Sequence, residues 1–130
     1  MSDSQPADLS EARAEAAVRH VDNIARHLFI CIGPDCIDPA EGEKLWAHVK
    51  AKVAEVQKQC PGATLYRSKV GCLRICKQGA TGVVYPDGTW YGGLNSERVD
   101  RVIAEHLVEG RPVDDFRIGQ STFPQVPAAD

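Results

Sequence analysis

The sequence predicts an α/β domain: a small mixed sheet of four strands flanked by helices, with two cysteine-bearing loops at strand ends. Three observations predict it. Short apolar runs closed by glycine or proline read as strands. Two stretches carry apolar residues at helical spacing, and each is preceded by a capping residue. Four of the five cysteines fall in two pairs, each at the end of a predicted strand.

The first strand is His27-Leu28-Phe29-Ile30-Cys31-Ile32, ended by Gly33-Pro34. A nearly continuous apolar run between breakers suits a buried strand. Asp38-Pro39-Ala40-Glu41 starts a helix: aspartate caps, proline takes the first helical position, and Glu41 completes a box-like cap. Leu45, Val49, Val53 and Val56 form its apolar stripe, and Pro61-Gly62 stops it near Cys60. Thr64 to Val70 alternates apolar and polar, as a half-buried strand does. Gly82-Val83-Val84-Tyr85 and Thr89-Trp90-Tyr91 flank Pro86-Asp87-Gly88, a turn triplet, and predict an antiparallel hairpin. Asn95 caps the last helix, whose buried face is Val99, Val102, Ile103 and Leu107, with Gly110 and Pro112 at its end.

The order strand, helix, strand, strand, strand, helix gives a right-handed βαβ crossover followed by a ββα half. That is a thioredoxin-like layout. Residues 26–112 form this domain, residues 1–25 an arm and residues 113–130 a tail. Residues 1–8 are polar and read as unstructured. In the arm, Ser10 can cap a helix through Glu11 to Ala17, with Val18, Val21 and Ile24 to dock it on the body; a mobile arm is the equal alternative. In the tail, Phe116, Ile118 and Phe123 pin part of an aperiodic segment to the surface.

Composition bounds the function. A net charge of −3, with no basic run, argues against a general nucleic-acid binder. The apolar runs are too short to span a membrane, and the N-terminus shows no signal peptide. A cytoplasmic protein is expected, where clustered cysteines point to metal or redox chemistry rather than disulfides.

The pairs are Cys31–Cys36, separated by Ile32-Gly33-Pro34-Asp35, and Cys72–Cys76, separated by Leu73-Arg74-Ile75. Thiolates suit iron and zinc in tetrahedral sulfur sites. In a 2Fe-2S cluster each iron takes two thiolates, so two separated pairs fit, with Cys31 and Cys36 on one iron and Cys72 and Cys76 on the other. Spacing alone keeps two rivals open: a structural zinc site, and cysteines serving as small core residues. Neither pair has the two-residue spacing of thiol oxidoreductases. Cys60 has no partner and reads as a packing residue. Gly33 and Gly71 allow sharp turns beside the thiols. Lys69, Arg74 and Lys77 would favour an added electron and could guide an acidic partner, or are ordinary solvated charges. His20, His27, His48 and His106 read as surface or packing residues, which disfavours a mixed cysteine–histidine cluster. Trp46, Trp90 and Tyr91 read as packing residues, and Tyr91-Gly92-Gly93 has no phosphate-loop pattern.

Several stretches together resemble one family: His27-Leu28-Phe29-Ile30-Cys31, Leu45-Trp46-Ala47-His48-Val49, Val70 to Cys76, and Val84-Tyr85-Pro86-Asp87-Gly88-Thr89-Trp90-Tyr91-Gly92-Gly93. They look like the thioredoxin-like 2Fe-2S ferredoxins of bacteria, over residues 26–112. The resemblance implies a low-potential electron carrier, not an enzyme, with one 2Fe-2S cluster on Cys31, Cys36, Cys72 and Cys76. It implies a homodimer that serves protein redox partners and binds no small-molecule substrate. The first loop is shorter than in some members. The loop lengths also resemble the small 2Fe-2S subunit of NADH dehydrogenases and related hydrogenases. Those proteins carry a longer helical region ahead of the cluster domain.

Overall fold

The computed structural model describes residues 7–127, so residues 1–6 and 128–130 of the arm and tail lie outside the described residues. The sheet has five strands in the order β2-β1-β3-β4-β5. They are β1 Ile24–Cys31, β2 Thr64–Val70, β3 Gly82–Tyr85, β4 Thr89–Tyr91 and β5 Arg117–Gln120. The helices are α1 Ser10–Val18, α2 Pro39–Gln57 and α3 Ser96–Arg101, the last continuing as a π-helical segment, Val102–Val108.

β1 and β2 pair in parallel, joined by α2, while β3 runs antiparallel to β1 and to β4. α2 begins where the sequence predicts: the Asp38 carboxylate accepts the Glu41 N–H, and Pro39 occupies the first turn. Leu45, Val49, Val53 and Val56 are buried on one side of it. Asn95 accepts the Arg98 N–H and caps α3. Leu28, Ile30, Leu65, Val84 and Tyr91 from the sheet join the apolar residues of α2, α3 and the π-helical segment in one core.

Strand alternation turns His27 and Phe29 to the opposite face of β1 from Leu28 and Ile30. There His27 stacks on Phe29 at 3.9 Å and meets Tyr66 edge-on at 4.9 Å, and Phe29 meets Tyr85 at 6.1 Å. These four rings are only half-buried.

Four expectations are corrected. The sheet has a fifth strand, β5, paired antiparallel with β4, in the segment read as an aperiodic tail. Its Ile118 is exposed rather than pinned; Phe116 does pack against the core, and the Phe123 ring lies 5.9 Å from Tyr85. Ser10 does not cap α1: it is the first helical residue, and Asp8 accepts its N–H at 3.1 Å. Val18 and Val21 are exposed and α1 buries no residue, so they do not dock the arm; a thin apolar face offers too little area.

Candidate metal centre

β1 and β2 bring the two cysteine loops to the same end of the sheet. Cys31 pairs with Val70 in the parallel register, so the chain leaves both strands side by side. The Ile32 N–H then donates to the Val70 carbonyl at 3.2 Å, extending the pairing one step into the first loop. Gly33 closes the approach. A Cβ there would lie 2.0 Å from the Gly71 carbonyl oxygen, so no other residue fits without moving one loop from the other. The first loop turns back on itself through Cys36 and Ile37 N–H groups, both donated to the Gly33 carbonyl.

The thiols lie as two pairs. Cys31 is buried, Cys36 half-buried, and Cys72 and Cys76 are exposed. Burial pushes the Cys36 thiol up, Thr81 draws it down, and the hydrogen-bonded Cys31 thiol pushes it up again. The Cys76 thiol is also raised, first by desolvation, then by its neighbour Cys72, and more weakly by Asp35 and Cys31. Cys76 therefore lies within electrostatic reach of the first pair. Among the described residues, no three Cys, His, Asp or Glu side chains converge on one point. A single tetrahedral ion needs such convergence. A two-iron cluster would take two thiolates at each of two irons.

Two residues that the sequence did not single out complete the site. Thr81 donates its N–H to the Cys36 sulfur at 3.4 Å, and its carbonyl accepts the Cys31 N–H at 2.8 Å. Its hydroxyl is buried with no hydrogen-bond partner among the described residues. Such an orphan costs about 1–3 kcal/mol, and a sulfur acceptor beside Cys36 would satisfy it. Gly79 supplies the other contact: a Cβ there would lie 2.5 Å from the Cys36 sulfur and 2.1 Å from its carbonyl oxygen. Neither shows in a linear pattern, because both reach Cys36 only through the fold. The second loop holds Arg74, Cys76 and Gln78 at positive φ, and Gly93 donates to the Gln78 carbonyl at 2.6 Å to anchor its return. Left-handed non-glycine residues cost of order 1 kcal/mol or more each and tend to gather at functional sites.

The chain is similar to a 2Fe-2S ferredoxin of Aquifex aeolicus (strain VF5), with 43% identity over 54 residues. That match takes in 42% of this chain and 49% of the relative, so the chain spans about half that relative's length. A 2Fe-2S ferredoxin of Clostridium pasteurianum is 26% identical over 100 residues, 74% of this chain and 98% of that protein. Among solved structures, a thioredoxin-like [2Fe-2S] ferredoxin from Aquifex aeolicus superposes with a TM-score of 0.65 at 25% identity, covering 76% of this chain and 94% of that one. A structure of the wild-type form gives 30% identity over 74% of this chain and 98% of that one, with a TM-score of 0.57. The chain belongs to the thioredoxin-like 2Fe-2S ferredoxins. No family model matches it.

Cys60, His27, His48 and His106 sit as packing or surface residues, as the sequence predicts. Cys60 packs partly buried against the core. His27 bonds Ser68 at 2.9 Å and His48 bonds Asp100 at 2.7 Å, both away from the thiols. His106 is fully buried between the Tyr91 hydroxyl at 2.8 Å and Asp87 at 2.6 Å. Burial draws its pKa down, against the opposing pull of Asp87. Lys69 sits 3.8 Å from Glu43, an exposed pair. No helix among the described residues is long and apolar enough to cross a membrane.

Proposed function

We propose that Cys31, Cys36, Cys72 and Cys76 hold one 2Fe-2S cluster and that the protein carries single electrons between protein partners. The observation that carries this reading is the pairing of thiols on two loops clamped together at Gly33 and Gly71. When bound, the cluster supplies a site that accepts and releases one electron. The chain supplies the thiolates, the Thr81 N–H aimed at the Cys36 sulfur, and the close backbone of Gly79. Hydrogen bonds to ligand sulfur help set the reduction potential. Arg74 and Lys77 add positive charge at the second loop and favour the more negative, reduced state, whereas Lys69 is paired with Glu43. No acid or base chemistry is required.

The reading includes a homodimer. The half-exposed face of His27, Phe29, Tyr66 and Tyr85 supports it, as an apolar surface that a second copy would cover. It also places the protein in the cytoplasm, where thiol ligands stay reduced; all five cysteines are free. Partners are redox proteins.

A reductive titration of anaerobically purified protein tests the function. One electron taken up per chain, with bleaching of the visible absorption, supports the carrier. A colourless protein that takes up none refutes it.

A further inference from the structure

Beside the second thiol loop lies a groove of about 590 Å³. It is lined by Ile75 and Lys77, on either side of Cys76, and by Phe116, Arg117 and Ile118. Gly92, Gly93 and Arg98 line it as well. Ile75 and Ile118 are both exposed, 39% and 51%, so the groove has an apolar strip open to solvent. Its rim is basic. Lys77, Arg98 and Arg117 face one carboxylate, Asp115, in a chain of net charge −3. Asp115 is already bridged to Arg101 at 3.0 Å, and Arg117 to Asp114 at 2.6 Å. The Arg98 guanidinium donates to the Gly93 carbonyl at 2.9 Å and lies 5.4 Å over the Phe116 ring, and among the described residues neither Arg98 nor Lys77 has a carboxylate partner.

Two cations without a carboxylate partner, Lys77 and Arg98, beside an apolar strip complement a carboxylate-rich segment with an apolar side chain. The place matters as much as the charge, because the groove borders the exposed thiol pair. We propose that this groove seats an acidic segment of the protein's redox partner, next to Cys76. The inference rests on the electron-carrier reading and names the class of partner. Charges at such a rim act chiefly on the encounter rate, through steering that salt screens.

The test uses a strongly acidic flavodoxin as electron acceptor. One electron leaves the reduced chain and one enters the flavodoxin flavin. Stopped-flow rates are compared for the wild-type chain, the Arg98→Glu/Arg117→Glu double variant and the charge-preserving Arg98→Lys/Arg117→Lys variant. A neutral quinone serves as a small acceptor that needs no docking. At low salt the charge reversal is expected to slow transfer to flavodoxin by about tenfold or more and to flatten its salt dependence. The rate to quinone stays unchanged, and the lysine variant stays near wild type. An unchanged flavodoxin rate overturns the proposal. So does a dimer, seen by sedimentation velocity, that Ile118→Glu dissociates, since a second copy then fills the groove. A chain that holds no cluster and reduces neither acceptor refutes the carrier reading itself. A chain that reduces quinone normally but is insensitive to the charge reversal refutes only the groove.

Discussion

Replacing Gly33 with alanine is expected to separate the two thiol loops. The new Cβ would start 2.0 Å from the Gly71 carbonyl oxygen, and the next atom, the Gly71 carbonyl carbon, is at 3.1 Å. The obstacle is backbone, so no side chain can swing away. A normal contact requires the loops to part by about 1 Å, several times the ~0.2 Å tolerance of metal–ligand distances. The thiols of 31 and 36 would then shift against those of 72 and 76, and the sheet end would lose the close pairing seen at Ile32 and Val70. Overpacking of this kind costs about 1–3 kcal/mol, which leaves a well-packed domain folded. The expected result is a folded chain with less than half the wild-type iron and faster cluster loss in air. Iron and sulfide assays, visible absorption and far-ultraviolet circular dichroism read this directly. A Gly33→Ala chain with full iron and wild-type cluster lifetime would show that the clamp does not set the site.

Gly79→Ala should act similarly through Cys36, lowering cluster content with little change in helix content; the same iron assay checks it. Cys60→Ser should keep full iron, because Cys60 packs against the core away from both loops. Tyr91→Phe removes the acceptor of the Val113 N–H and the partner of His106, leaving buried groups unpaired at about 1–3 kcal/mol each. Urea unfolding should show a lower midpoint with an unchanged slope. His106 also gives a pH dependence. Its pKa is lowered in the fold, so the unfolded chain binds more protons below the usual histidine value of about 6.5. Stability contributed by this group is full above that pH and declines as pH falls through it toward the folded value. Asp87, lowered by Arg26 and His106 against the opposing cost of burial, extends the loss to more acid pH. Urea midpoints between pH 8 and 5 should fall for the wild type, and a midpoint that stays flat would contradict the burial argument.

Local signals carried most of the fold. The Asp38-Pro39 start and the Leu45-to-Val56 stripe define α2 without reference to anything else, and the Pro86-Asp87-Gly88 turn defines the hairpin. The thiol loops were legible for the same reason: each follows a strand that announces itself. β5 was not legible because Arg117-Ile118-Gly119-Gln120 has one strong strand former. It is a strand because β4 offers an open edge, with Gln120 bonded to the Thr89 hydroxyl and the Asp87 carbonyl. Strand propensity of this kind is tertiary. Thr81 and Gly79 were missed because their approach to Cys36 joins residues more than forty positions apart. The Tyr91–His106–Asp87 chain was hidden likewise: it spans the hairpin and the π-helical segment, and only the fold makes its members neighbours.

The central claim is that four sulfur atoms, from residues 31, 36, 72 and 76, hold one two-iron cluster. Iron, zinc and acid-labile sulfide per chain, measured on anaerobically purified wild type and on each of the four cysteine-to-serine variants, test it most directly. The account predicts two irons and two sulfides in the wild type, no zinc, and a lower or less stable cluster content in every variant. One zinc without sulfide, or full iron and sulfide unchanged in any of the four, would contradict it.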